Sequence, residues 1–324
     1  MSHSSSKAIW IAFGANLGIA VAKFGAAAVT GSSAMLTEGV HSVVDSVNQL
    51  LLLWGRHAAK RPPDPLHPFG HGRELYFWSF VVAVLVFALG AGVSIYEGIL
   101  HIAEPEHAVS PMIAYGVLAF AFLLEGGSTI AAFKEFRQAK GKLGWVRAVR
   151  ESKDPAGFIV LLENGAAMFG IVVAAAGLGL SQAIGDPRFD GMASIVIGLL
   201  LGLTSLVLAY ESKGLLIGEA ADPEIVAEIR RLVNGRSGVT SVGEILTVHS
   251  SPDEITAMLS VDFDDHMLAS EVERLVAEIE DEIGVHFPEV RRLYLRPRSE
   301  PEALGVAGVQ ADGGTVGTGG LAPR

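Results

Sequence analysis

A group of ionisable side chains lies within segments of the chain that are otherwise apolar. Its members are Lys23, Glu38, His41, Asp45, Glu125 and Glu163. Placing one ionisable group at the middle of a membrane costs about 2.5–3.5 kcal/mol on insertion scales. Residues retained at that cost commonly bind an ion or carry a proton, so this group holds the first candidates for a functional site.

The segment around Glu38 has the most informative spacing. Glu38, His41 and Asp45 follow the i, i+3, i+7 pattern of one helix face, which Asn48 and Gln49 continue. Because His41 and Asp45 are four residues apart, both side chains can hold one ion. Imidazole with carboxylate suits Zn²⁺, Fe²⁺, Co²⁺ or Mn²⁺ better than Ca²⁺ or Mg²⁺. The alternative interpretation is a polar stripe that holds helices together.

A second set of potential metal ligands lies in the short segment that follows, which is rich in Pro and Gly. Asp64, His67 and His71 fall within a run of eight residues. Two imidazoles and a carboxylate again suit a transition-metal dication. The alternative interpretation is a tight loop in which the histidines are incidental.

The elements that position these residues are predicted by hydropathy. Hydrophobic residues make up 50% of the 324 residues and charged residues only 18%, with a mean hydropathy of +0.42. Six apolar stretches are each long enough to cross a bilayer, and without water at mid-depth they must be helices. They are residues 8–30, 34–55, 77–102, 111–133, 155–180 and 189–209.

Lysine and arginine predict the orientation of these stretches in the membrane. The loops between the second and third stretches and between the fourth and fifth carry eleven of them, whereas the loops on the other side carry only Arg188. Positively charged loops face the cytoplasm, so both chain termini are expected there. The loop with Asp64, His67 and His71 then faces the cytoplasm too.

The chain changes in character after Lys213. We expect a membrane domain over 1–213, a small cytoplasmic domain over 214–298 with the order helix, strand, strand, helix, strand, and a disordered tail over 299–324. The formal charge of −11 falls on the last two segments, of which 214–298 carries −9, while 1–213 is neutral.

Composition excludes several classes of protein. The negative charge and a pI of about 5.4 argue against a nucleic-acid partner. With no cysteine, the chain has no disulfide, no thiolate metal site and no cysteine nucleophile. An intramembrane hydrolase is disfavoured, since neither His-Glu-x-x-His nor Gly-x-Ser-x-Gly occurs. We therefore do not expect an enzyme.

The motifs around these ligands closely resemble the cation diffusion facilitator family. The similarity runs from about residue 8 to 297 and is carried by Gly31-Ser32, Glu38, His41-Ser42-x-x-Asp45-Ser46, Asn48-Gln49 and the specific run His67-Pro-Phe-Gly-His71-Gly-Arg73, with Asn16 and Lys23 also similar. The resemblance implies an all-α membrane domain of six transmembrane helices and a cytoplasmic α/β ferredoxin-like domain. It further implies a homodimer formed through residues 214–298 that exports divalent metal in exchange for protons, without a prosthetic group.

The fifth apolar stretch departs from the pattern of that family, whose second and fifth spans together supply four metal ligands. Val160 and Asn164 occupy the fifth-span positions, and Glu163 stands beside Asn164. This resembles a branch of the family that has Glu-Asp at these two positions, with Asn in place of the Asp. The implied transport site is His41, Asp45, Asn164 and Glu163, and Glu125 is another source for the missing carboxylate.

The expected function is export of Zn²⁺ across a bacterial cell membrane by proton antiport. Two alternatives stay open: an exporter that prefers Fe²⁺, Mn²⁺ or Co²⁺, and a non-transporting metal sensor or scaffold, which the altered fifth stretch motivates. In the C-terminal domain His249, His266 and His286 are scattered and the last strand has no histidine. We therefore expect that domain to dimerise rather than to bind metal.

Overall fold

Six long helices between His3 and Ile217 form a bundle. The computed structural model describes residues 3–105, 111–141, 144, 148 and 155–298. The helices are α1 (His3–Thr30), α2 (Ser33–Ala58), α3 (Glu74–Leu85), which continues through a π-helical segment (Val86–Ala91) into α4 (Gly92–Ala103), α5 (Pro111–Ala139), α6 (Pro155–Ile184) and α7 (Arg188–Ile217). Each of the six predicted apolar stretches lies within one of them.

Four of these helices are long and apolar enough to cross a membrane. In the described part of the chain they are Glu74–Ala103, Met112–Gln138, Phe158–Ile184 and Arg188–Ile217, while Asn16–Thr30 forms a shorter apolar helix. The protein is therefore a multi-pass membrane protein. The sequence predicted six spans, and the two further spans, in α1 and α2, stay predictions. α2 lacks a comparable apolar run because its polar residues follow one face, and Glu38, His41 and Asn48 on that face are buried within the protein.

The helix that carries His41 and Asp45 lies inside the bundle. α2 packs against α1, α3, α4, α6 and α7, and α5 packs against α1 and α6. The face of α2 that would be unfavourable in lipid is thus covered by neighbouring helices. This arrangement explains how the chain retains several ionisable groups in an apolar bundle.

A buried carboxylate fixes the start of α2. The hydroxyl of Ser32 donates to both oxygens of Asp190 on α7, at 2.8 and 3.0 Å, and the backbone N–H of Ala34 donates to Asp190 at 3.3 Å. Ser32 also accepts a hydrogen bond from the N–H of Met35 as the helix N-cap. A carboxylate is favourable at the positive end of a helix, so Asp190 links α7 to the beginning of α2.

The C-terminal part forms a small α/β unit. Its elements are α8 (Pro223–Asn234), β1 (Val239–Ser251), β2 (Glu254–Phe263), α9 (Ala269–His286) and β3 (Val290–Pro297), in the predicted order. The strands form one sheet in the order β1-β2-β3. One face of β2 is buried through Ile255, Ala257, Leu259 and Val261, and Thr256 on the other face is buried as well.

The described chain divides into two compact units. One contains the residues up to Asp222 together with 247–256 and 289–292, and the other contains 223–246, 257–288 and the residues from Leu293 on. The predicted domain limits at residues 213 and 298 stay predictions. The predicted disordered tail, 299–324, lies outside the described residues.

Candidate functional site

A buried lysine joins three helices of the bundle. The ammonium of Lys23 on α1 donates to Glu38 and Ser42 on α2 and to Glu125 on α5, each at 2.9 Å. These three acceptors use all three N–H groups of the ammonium. The side chains of Lys23 and Glu38 are fully buried and that of Glu125 is 14% exposed. Removing one partner from such a buried ion pair costs about 3–5 kcal/mol, so the network constrains α1, α2 and α5 together.

His41 and Asp45 lie side by side on α2, as their spacing predicted. Nδ1 of His41 is 3.4 Å from Oδ1 of Asp45, and the imidazole is almost fully buried. Neither ring nitrogen of His41 nor Oδ1 of Asp45 has a hydrogen-bond partner among the described residues. A buried polar atom without a partner costs about 1–3 kcal/mol. These three atoms are therefore available to a ligand.

A small polar cavity lies next to Asp45, between α1, α2, α5 and α6. Its volume of about 20 Å³ is enough for one water molecule or one ion. It is lined by Asn16, Ile19, Ser42, Asp45, Glu125, Ser128, Asn164 and Ala167. The cavity thus brings together Asp45 and Asn164, which are 119 residues apart in the sequence. Each offers an oxygen that suits a metal cation.

The remaining predicted ligands lie beside this cavity rather than around it. Glu163 is buried, at 5% exposure, and accepts a hydrogen bond of 2.8 Å from the amide of Asn48. It lies within electrostatic range of Asp45. Val160 packs against the apolar core. Neither His41 nor Glu163 is among the residues that line the cavity.

Asn164 is held in place by a residue that the sequence analysis did not single out. Its amide nitrogen donates to the hydroxyl of Ser128 on α5, at 3.3 Å. This leaves the amide oxygen of Asn164 as its metal-binding atom. Ser128 follows Glu125 by three residues, so their shared helix face was the signal available in the sequence. Asp190 was missed as well, and its hydrogen bonds to Ser32 span 158 residues, which no local pattern reveals.

The loop between α2 and α3 gathers the second predicted ligand set. The carboxylate of Asp64 is 3.2 Å from Nδ1 of His67 and 3.0 Å from Nε2 of His71, and the two imidazole centroids are 4.3 Å apart. Of the His, Asp and Glu residues that the structure describes, these are the only three with ligand atoms all within 4.8 Å of one another. Gly70 allows the tight turn between the histidines by adopting a φ of +84°.

The loop carboxylate is held in its ionised form. The backbone N–H of His67 donates to it at 2.7 Å, and hydrogen bonds from the His71 side chain and the N–H of Leu66 add to this effect, so the pKa of Asp64 falls to about 2. Asp64 and His67 are exposed, while the His71 side chain is 8% exposed. The cluster therefore offers one carboxylate and two imidazoles to a cation that arrives from solvent.

Comparison with known proteins decides the family. The family model described as the cation efflux transmembrane domain matches residues 9–217. The chain belongs to the cation diffusion facilitator family. This is a family of metal cation transporters rather than of enzymes, and the resemblance found in the sequence motifs is thereby confirmed.

Three relatives illustrate the range of the family. The proton-coupled zinc antiporter SLC30A9 of Xenopus laevis mitochondria is 35% identical over 72% of this chain and 42% of its own length. Metal tolerance protein C4 of Arabidopsis thaliana is 30% identical over 82% of this chain and 58% of its own length. The manganese efflux system protein MneP of Bacillus subtilis is 25% identical over 90% of this chain and 95% of its own length. The chain thus spans only about two fifths of the length of the first relative and three fifths of the length of the second.

Proposed function

We propose that this protein exports a divalent metal cation, with Zn²⁺ as the preferred cargo, in exchange for protons. The observation that carries the proposal is the polar cavity between the helices, lined by Asp45 of α2 and Asn164 of α6. The buried His41, without a hydrogen-bond partner among the described residues, lies beside Asp45. Packing alone does not require such a group inside an apolar bundle, whereas a cation site does.

In this proposal each residue of the transport site has a defined role. His41 supplies an imidazole nitrogen, Asp45 a carboxylate oxygen and Asn164 an amide oxygen. Glu163, which is buried beside Asn48, places a further carboxyl group near the site. Nitrogen and oxygen donors together favour borderline dications such as Zn²⁺ over Ca²⁺ or Mg²⁺.

Proton antiport follows from the chemistry of these ligands. A metal binds neutral imidazole and ionised carboxylate, so its binding releases any protons that they carry. The site is then occupied by metal or by protons but not by both. Alternating exposure of such a site to the two sides of the membrane exchanges one for the other.

The membrane arrangement belongs to the same proposal. All six long helices cross the membrane, with both chain termini in the cytoplasm of a bacterial cell. The loop cluster of Asp64, His67 and His71 then faces the cytoplasm, where it collects metal for the transport site. Basic residues flank this loop at Arg56, Lys60, Arg61 and Arg73, as expected for a cytoplasmic segment.

We also propose that residues 214–298 form a ferredoxin-like dimerisation domain. Each of its three strands exposes a large apolar side chain to about half: Leu246 on β1, Met258 on β2 and Tyr294 on β3. Exposed apolar residues on a sheet are typical of a surface that another chain covers. A second copy of this chain is the proposed partner.

A second candidate function is export of Mn²⁺ or Fe²⁺ in preference to Zn²⁺. The residue that favours it is Asn164, because its amide oxygen is a harder ligand than imidazole. The relative from Bacillus subtilis is named a manganese efflux protein, which makes this alternative worth testing in the same assay. A non-transporting metal sensor is the third possible outcome.

The test is metal uptake by purified protein in liposomes with an acidic lumen. We expect Zn²⁺ to accumulate in the lumen of vesicles with the parent protein. Asp45→Ala should abolish uptake, because it removes the carboxylate that lines the cavity. Asp186→Ala, in the exposed turn before α7, is the matched control and should retain uptake. Parent vesicles that move no metal would favour the sensor, and equal uptake by Asp45→Ala would overturn the proposed site.

A further inference from the structure

The two glutamates that bind Lys23 differ in their relation to the cavity. Both accept a hydrogen bond of 2.9 Å from its ammonium. Glu125 also lines the cavity that contains Asp45 and Asn164, and Glu38 does not. The same lysine therefore holds one carboxylate at the proposed transport site and one away from it.

One oxygen of the Glu125 carboxylate is not engaged in a hydrogen bond with the described residues. Oε1 accepts the hydrogen bond from Lys23, while Oε2 is buried and has no hydrogen-bond partner among the described residues. Oε1 of Glu38 is unpartnered in the same way, but Glu38 does not line the cavity. A buried carboxylate oxygen without a partner is costly unless a cation or a donor occupies the space beside it. Glu125 lines such a space, the cavity that it shares with Asp45.

We propose that Glu125 is a ligand of the transported cation, bound through Oε2, and that Lys23 orients its carboxylate through Oε1. This inference rests on the proposed transport function and extends the site to α5. Hydrogen-bonded partners that orient a metal ligand are common in metal sites. Lys23 is in this sense a positioning residue rather than a ligand.

The formal charges of the group match a dication. Lys23 offsets one of the three carboxylates of Glu38, Asp45 and Glu125, so the group carries two negative charges when all four residues are ionised. A bound dication offsets this negative charge, which matters in a medium where an unbalanced charge costs several kcal/mol. The carboxylate of Glu125 thus supplies a negative charge that the neutral side chain of Asn164 does not.

The test compares two isosteric variants by equilibrium dialysis of the purified protein against Zn²⁺. These two variants, the further variant Glu125→Asp and their parent all carry Asp64→Ala so that the loop cluster does not contribute. Glu125→Gln should raise the apparent Kd for Zn²⁺ by about tenfold or more, as loss of a metal-site interaction commonly does. Glu38→Gln removes the same charge from the same lysine and should raise the Kd less. Glu125→Asp, which keeps the charge, should bind more tightly than Glu125→Gln.

The outcomes separate this inference from the proposed function. Equal effects of Glu125→Gln and Glu38→Gln, or no effect of Glu125→Gln, would overturn the role of Glu125 and leave the network structural. A parent with no remaining Zn²⁺ site would overturn it too. Failure of the proposed transport function takes a different form: Zn²⁺ binds in dialysis but does not move in liposomes. Monodisperse elution from size-exclusion chromatography controls for folding of each variant.

Discussion

Asn164 is the residue that most affects the chemistry of the proposed site. It lines the cavity with Asp45, yet it contributes only a neutral amide oxygen. Replacing it by Asp should lower the apparent KM for Zn²⁺ by about tenfold or more, since an interaction with a charged group is worth about 1.5–3 kcal/mol. Zn²⁺ uptake into liposomes measures this change.

The control for that substitution is Gln182→Glu, which adds an acid to the same helix at an exposed position. It should leave the KM close to that of the parent. If Gln182→Glu lowered the KM as much as Asn164→Asp, bulk electrostatic attraction would explain the effect. An unchanged KM in Asn164→Asp would mean that residue 164 does not contact the cargo.

The loop cluster gives a second prediction for single residues. Asp64→Ala should reduce the amount of Zn²⁺ bound per chain by one, because only one carboxylate joins His67 and His71. Asp264→Ala is the matched control, since Asp264 accepts the backbone N–H of His266 in a similar turn but belongs to no cluster of three ligands among the described residues. Equal loss in both variants would contradict the loop site. Equilibrium dialysis measures the bound metal.

The pH dependence of loop binding should come from the histidines rather than from Asp64. The pKa of Asp64 is lowered to about 2, so the folded loop favours the carboxylate, and that preference is lost only as the pH falls toward 2. A metal binds only a neutral imidazole, so Zn²⁺ and protons compete for the loop histidines. Zn²⁺ binding by the loop should therefore decline on acidification while the Asp64 carboxylate is still ionised. A decline that begins only below pH 4 would contradict this assignment.

The sequence revealed the parts of the site that are local to one segment. His41 and Asp45 are one helical turn apart, and Asp64, His67 and His71 share one loop, so spacing alone predicted their proximity. The contact of Asn164 with Ser128 and the shared cavity of Asp45 and Glu125 depend on how α2, α5 and α6 are rotated against each other. Periodicity within one helix cannot specify that rotation.

α4 and α7 approach each other closely at a pair of glycines. A Cβ atom at Gly191 would come within 2.8 Å of the carbonyl oxygen of Gly98. Gly191→Val should therefore separate the two helices and destabilise the protein by about 1–3 kcal/mol, as overpacking typically does. Elution from size-exclusion chromatography after heating measures the lower thermal midpoint.

Gly116→Val on α5 is the control for this crossing, because a Cβ there meets nothing within 4 Å. It should leave the midpoint close to that of the parent. A Gly191→Val protein as stable as the parent would show that the two helices do not need their close approach.

Hydropathy predicted the helices well and their details less well. All six apolar stretches are helical, and most of the helices run a few residues further because helical hydrogen bonding continues beyond the apolar run. The π-helical segment from Val86 to Ala91 was not predicted, since apolar character carries no information about hydrogen-bond register. α2 shows a further limit: its buried polar face makes this helix less apolar than its neighbours.

At the scale of the whole molecule, the proposed dimer is open to direct measurement. The purified protein in detergent should have the mass of two chains by light scattering. Tyr294→Glu should weaken the dimer, because it places a charge on the proposed apolar surface. Val285→Glu changes an exposed residue on α9 instead and should leave the mass unchanged. A parent with the mass of a single chain over the accessible concentration range would contradict the dimer.

Family membership supports metal transport as the proposed activity of the whole molecule, and the proposed site would explain how protons take part. The proton-coupled zinc antiporter of Xenopus laevis shares 35% identity over 72% of this chain. In this chain the same coupling would arise from ligands that bind either a metal or protons. Proton coupling is therefore the claim on which the proposed function most depends.

The most direct measurement of that claim imposes a Zn²⁺ gradient on liposomes that contain the purified protein and a pH-sensitive dye in the lumen. Starting from equal pH on both sides, inward movement of Zn²⁺ should drive protons out, so the lumen becomes alkaline. The change should be absent in Asp45→Ala vesicles. Zn²⁺ entry at the parent rate without any change in lumenal pH would contradict the account.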